Sequence, residues 1–196
     1  MTTSTIARPQ ILSREQWLTE LDKLQADEEE LTKHYDRVNA NRLRLSMVKV
    51  EKNYLFDGPK GKVSLKDLFE GRRQLIVYHL MFDPAWEKGY SGCTTFLDAL
   101  GDLSLLKQRD TTFVAASRAP LAKLEANKQQ KEWSIAWFSS HDSDFNCDFH
   151  VTPDPKYRKK KETASAAGHS GNTENRQHGV RLFLRIEEDI FYKYAT

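Results

Sequence analysis

The chain has 196 residues, 39% hydrophobic and 30% charged, which suits one domain with extensions and a core that needs no disulfide framework. Thirty basic residues against 28 acidic ones leave a formal charge of +2, too weak a field to argue for nucleic acid, and no run of about 18 apolar residues is present to span a membrane. Two cysteines, and an N-terminus (MTTSTIARPQ) without the apolar stretch of a secretory signal, point to a soluble protein in a reducing, cytoplasmic location.

Residues 1–45 read as an N-terminal helical extension ahead of a domain at 46–196. Ser13 with Gln16 three residues on forms a capping box, and Trp17, Leu21, Leu24, Leu31, Tyr35 and Val38 then recur at steps of three and four. Glu28 falls where the seam would continue, and Glu29 with Lys33 supplies an i,i+4 pair on the other side. A single long amphipathic helix is predicted. Its apolar seam must be buried either against its own domain or against a second subunit, and a homodimer through this helix is the preferred expectation.

Val48–Phe56 alternates weakly and ends at the turn signal Asp57-Gly58-Pro59, so it reads as an early strand or hairpin; Val63–Phe69 is short, apolar on one side and closed by Gly71. Leu75–Phe82 is dense enough in apolar and aromatic residues to be a strand buried on both faces. Pro84 and Gly89 break that pattern, and from Cys93 the positions Phe96, Leu97 and Leu100 recur at helical spacing. Strand, irregular loop and helix thus set Cys93, the candidate nucleophile, near a helix N-terminus, where unpaired N–H groups and the macrodipole favour a thiolate.

Thr111–Ser117 is a second buried strand, and Pro120 suits the first turn of the helix that follows it. Strand, helix, strand and helix in that order imply a right-handed crossover and a parallel pair. Ser134–Ser140 reads as a short extended segment. Residues 152–179, with the basic run Lys156–Lys161 and hardly an apolar anchor, predict a mobile loop or insertion. Val180–Ile186 and Ile190–Tyr194, joined by Glu187, Glu188 and Asp189, predict a closing hairpin.

Four stretches resemble a known family: SREQW (Ser13–Trp17), the run Val50–Phe82, SRAPLAK (Ser117–Lys123) and SDFNCDFHV (Ser143–Val151). They are similar to thioredoxin-like proteins catalogued as domain-of-unknown-function family 899. The resemblance implies a thioredoxin-like (peroxiredoxin-like) α/β fold: a mixed sheet flanked by helices, here with a long N-terminal helix. Relatives continue beyond the point where this sequence stops, so the C-terminal helix that covers one face is expected to be absent or shortened. They look like dithiol oxidoreductases with a C-P-S-C motif after the buried strand, and here those four positions are Tyr90, Ser91, Gly92 and Cys93. Tyrosine stands where the attacking cysteine would be, so disulfide exchange within the motif has no local thiol to resolve it.

The expected site is a crevice at the strand ends, with Cys93, Tyr90 and His79 as its catalytic groups. Tyr90 offers a phenol able to donate to a developing oxyanion, and His79 offers a general acid or base near a strand end. Asp83, Trp86, Arg118, Asp144 and His150 are the expected substrate-binding residues on the neighbouring loops. No cofactor is expected: His79, His141, Cys147 and His150 are the nearest thing to a metal set, but none of their spacings is a recognised ligand spacing. No Walker loop, G-x-G-x-x-G, G-x-S-x-G or H-E-x-x-H occurs. The expected function is an enzyme acting on a small organic molecule by proton transfer or a redox step. Two alternatives stand beside it: a one-cysteine thiol oxidoreductase or peroxidase using Cys93, and a non-catalytic dimerising or partner-binding module.

Overall fold

A computed structural model describes residues 9–151 and 179–196. The chain divides into two compact units, Met1–Leu45 and Ser46–Thr196. The first contains one long helix, α1 (Arg14–Arg44), opened by the predicted capping box: Gln16 N donates to Ser13 Oγ, and Ser13 N donates to Gln16 Oε1. None of its 31 residues is buried.

Among the described residues, the second unit is built on eight strands in one mixed sheet. Its elements are β1 (Val48–Lys49), β2 (Leu55–Gly58), β3 (Gly61–Ser64), a 3-10 turn (Asp67–Phe69), β4 (Gln74–His79), α2 (Ser91–Asp98), α3 (Ser104–Gln108), β5 (Thr111–Ser117), α4 (Leu121–Gln130), β6 (Trp137–Ser139), α5 (Phe145–Asp148), β7 (Gly179–Ile186) and β8 (Asp189–Ala195). The strand order is β1-β8-β7-β4-β5-β6-β2-β3. β5 lies parallel to both β4 and β6, whereas β7 runs antiparallel to β4 and to β8. A strand crossing through α2 to a parallel neighbour, with an antiparallel hairpin on its other side, is the thioredoxin-like arrangement that the resemblance implied.

Several expectations shift in the structure. β4 stops at His79 instead of Phe82, and the chain bends away after Leu80, whose carbonyl accepts from Ser117 Oγ at 2.7 Å. The segment expected to be an early strand or hairpin is two separate strands far apart in the sheet: β1 at one edge pairs with β8, while β2 lies between β3 and β6. α3 and α5 fall in segments too short for their apolar spacing to register as a helix. Gly179, expected in a loop, already opens β7, and the rest of that expected loop, 152–178, lies outside the described residues. No helix among the described residues is long and apolar enough to cross a membrane.

Alternation along the strands fills two cores. Leu75 and Val77 of β4, Val114 and Ala116 of β5 and Phe183 of β7 pack on one face with Leu68, Phe69, Phe145 and Phe149. Tyr78 and Leu80, Ala115 and Trp137 pack on the other with Phe82, Cys93 and Leu97 of α2 and Leu124 of α4. The sheet therefore separates α2 and α4 from α5.

Candidate functional site

Parity along β4 divides the expected site. Tyr78 faces α2, whereas His79, the next residue, follows Leu75 and Val77 to the face covered by α5. There it is 1% exposed and its ring stacks on Phe145, centroids 5.1 Å apart at 14°. Burial and the nearby Arg181 guanidinium push its pKa down to about 3, against a weaker upward pull from Asn146. Both ring nitrogens are buried, and among the described residues neither has a hydrogen-bond partner of good geometry. His79 is thus a neutral core ring that does not reach the loop carrying Tyr90.

On the other face, Cys93 lies in the first turn of α2 and is 1% exposed among Tyr78, Leu80, Phe82 and Leu97. Burial and the adjoining Cys93 side chain push the Tyr78 phenol upward, so the Tyr78 hydroxyl stays protonated against the sulfur. Tyr90 is the N-cap residue of α2 and is 47% exposed. Its N–H donates to Met81 O at 2.8 Å, and its carbonyl accepts from Thr94 N and Thr94 Oγ1, each at 3.0 Å. A Cβ added to Gly92 would come within 2.8 Å of Tyr90 Cε1, so the phenol ring lies over the Gly92 backbone and a side chain there would displace it. Of the motif positions, the first is an accessible phenol and the last an enclosed thiol.

Asp83, Trp86 and Arg118 come together at the strand ends. Arg118 pairs with Asp83 at 3.6 Å, both half-exposed, and Asp83 Oδ1 accepts from Ala85 N. Lys123 of α4 donates to the carbonyls of Pro84 and Trp86 at 3.1 and 2.8 Å, fixing the loop that presents Trp86. Asp144 and His150 flank α5 instead. Asp144 pairs with Lys52, which also reaches Asp148, and Tyr54 donates to Asp148 at 2.7 Å. Burial works against ionisation of Asp148, but hydrogen bonds from Lys52 and Tyr54 hold its carboxyl below the usual range. His150 sits just past α5 with a left-handed φ of 57°.

Cys147 lies in α5, so the sheet stands between it and Cys93, and the two are not joined by a disulfide. His141 directs Nδ1 at Arg118 O, 3.0 Å away. Among the described residues, no three histidine, cysteine, aspartate or glutamate side chains gather as a metal site. Tyr78, Lys123 and Lys52 are the groups that the sequence reading passed over. Strand parity would have paired Tyr78 with the helix carrying Cys93, since Tyr78 and Leu80 share a face.

One cleft lies away from the residues expected to bind substrate. A cleft of about 520 Å³ opens at the start of β5, lined by Leu97, Leu100, Leu106, Phe113, Trp133 and Ile135. Asp98 braces one wall, accepting from Lys131 Nζ and Trp133 Nε1, each at 2.9 Å.

A family model described as "Bacterial protein of unknown function (DUF899)" matches residues 6–196. No curated protein matches the sequence. Among solved structures, one of a yeast mitochondrial 1-Cys peroxiredoxin, whose thiol is resolved through glutathione and thioredoxin systems, is similar with a TM-score of 0.41 and 13% identity. The likeness covers 77% of this chain and 68% of that one.

Proposed function

Because the chain belongs to the DUF899 family of bacterial proteins, whose description assigns no activity, we propose a function from the site alone: an enzyme acting on a small polar organic molecule at the strand-end loop that carries Asp83, Trp86 and Tyr90, with Arg118 beside Asp83. The observation that carries this reading is the exchange of roles within the motif. Tyr90 occupies the accessible position at 47% exposure, and Cys93 the enclosed one at 1%. An accessible phenol can donate a hydrogen bond to a carbonyl or carboxylate oxygen and hand over its proton, whereas a thiol enclosed by apolar side chains cannot meet a substrate disulfide. Arg118 supplies the positive charge to hold a carboxylate, and Trp86 an apolar flank. Proton transfer is the chemistry these groups support. In this reading His79 and Cys93 are core residues.

Thermal-shift titration with a panel of small carboxylates and carbonyl compounds tests it. Ligands that raise the midpoint in the native protein are expected to do so less in Tyr90→Phe and not at all in Arg118→Ala. A panel without effect, or an unchanged shift in both variants, rejects this site.

A second reading, one-cysteine thiol chemistry at Cys93, draws on the Tyr78 hydroxyl against its sulfur and on its place in the first turn of α2. Iodoacetamide separates the two readings. On the first, Cys93 is alkylated in the folded protein far more slowly than in urea, and Cys147, which is partly exposed, reacts before it. Rapid alkylation of native Cys93, with peroxide sensitivity, would favour the second.

A further inference from the structure

The steps along α1 alternate four and three without interruption. Trp17, Leu21, Leu24, Glu28, Leu31, Tyr35, Val38 and Arg42 occupy successive core positions of a heptad repeat over more than three heptads. Trp17, Leu24, Leu31 and Tyr35 are each more than half exposed. The helix's own ion pairs lie off this seam, Lys33 reaching Glu29 at 3.0 Å and Glu30 at 3.1 Å on the outer face. A helix of 31 residues is about 46 Å long, and none of its residues is buried. From this seam and its charge pattern, we infer that α1 pairs antiparallel with α1 of a second copy of this chain.

Charge selects both the occupant and the orientation. Residues 14–29 carry six carboxylates against the two cations Arg14 and Lys23, and residues 30–44 carry four cations against the two carboxylates Glu30 and Asp36. A parallel pair would set the acidic halves together and stack Glu28 on Glu28. The antiparallel pair sets each acidic half against a basic one. In the register that keeps both helices overlapped along their length, Leu21 meets Val38 of the second copy, Leu24 meets Tyr35, and Glu28 meets Leu31. On the flank, Asp27 faces His34. Glu28 is the one acidic residue in the seam, a polar core position of the kind that fixes register at a cost in affinity.

Light scattering on the full chain across a dilution series tests the pairing. The native protein is expected to be a dimer that dissociates on dilution. Leu24→Lys with Leu31→Lys is expected to be monomeric at every concentration, with near-ultraviolet dichroism of the core unchanged. Glu28→Leu, which fills the seam, is expected to tighten the dimer by roughly tenfold or more. Orientation is read by oxidation: L21C together with V38C should cross-link into a covalent dimer, while L21C alone should not. A native chain that stays monomeric, or a dimer that survives the double lysine variant or is no tighter in Glu28→Leu, overturns the pairing. Efficient cross-linking of L21C alone overturns its orientation.

Discussion

At the residue scale, His79 shows how one position can resemble a catalytic group and behave as a core one. A histidine near the end of a buried strand invites a general acid or base reading, but its parity with Leu75 and Val77 sends the ring under α5, against Phe145. Period-2 alternation was available in the sequence, and applied to Tyr78 and His79 it would have placed only Tyr78 beside Cys93. Burial among Phe145, Arg181 and Asn146 leaves the ring neutral, with a pKa of about 3 in place of the ordinary 6.5. Because the folded-state value is the lower one, the unfolded chain takes up the proton first as the pH drops. Stability from this group is complete above about pH 6.5 and declines by about 1.4 kcal/mol per pH unit towards pH 3. Urea midpoints of the native chain and of His79→Phe between pH 7 and pH 4 check it: the acid limb should be shallower in the variant by about that slope. Reading a slope removes any fixed repacking cost of the larger ring. Parallel acid limbs would show that His79 does not carry the loss.

At the element scale, long elements were legible and short ones were not. α1 announced itself through a capping box and a sustained heptad seam, and β5 through an unbroken apolar run with matching ends. β1, two residues long, and α5, four residues long, hold too few positions to show a period, and only sheet pairing and packing define them. The alternation of aromatic and polar residues over Asp144–His150 is visible in the sequence. What it could not convey is that the aromatics Phe145 and Phe149 anchor the segment while Asp148 ties it to the chain entering β2. That tie consists of two bonds of unequal weight. Tyr54 is 5% exposed, and its hydroxyl donates to Asp148 at 2.7 Å; Lys52 contacts the same oxygen at 2.9 Å from a side chain 48% exposed. Asp148→Ala is therefore expected to cost about 1–3 kcal/mol, because it removes an acceptor from a buried hydroxyl. Lys52→Ala is expected to cost less than about 1 kcal/mol, as exposed ion pairs do. Equal losses in chemical denaturation would mean that the charge, and not the Tyr54 bond, holds α5 down.

At the scale of the whole molecule, the two units should open independently, and amide exchange can show it. β4, β5 and β7 sit in the middle of the sheet, where Leu75, Val77, Ala115 and Phe183 are wholly buried. Their amides can exchange only when the entire second unit unfolds, so their opening free energy should equal the stability measured in urea. β3 at one edge and β1 at the other have a neighbour on one side only, and their amides should exchange through local opening at lower cost. α1 belongs to neither group. None of its residues is buried, and since helices in proteins draw most of their stability from packing of an amphipathic face, its protection should depend on what covers its seam. If a second copy covers it, exchange in α1 slows as protein concentration rises, while exchange in β4, β5 and β7 stays constant. Native-state exchange followed by mass spectrometry at two concentrations separates these behaviours within one experiment. Protection of α1 that ignores concentration would show that a neighbouring copy is not what stabilises the helix, and exchange of β4 at the rate of β1 would show that the sheet lacks the graded stability its packing implies.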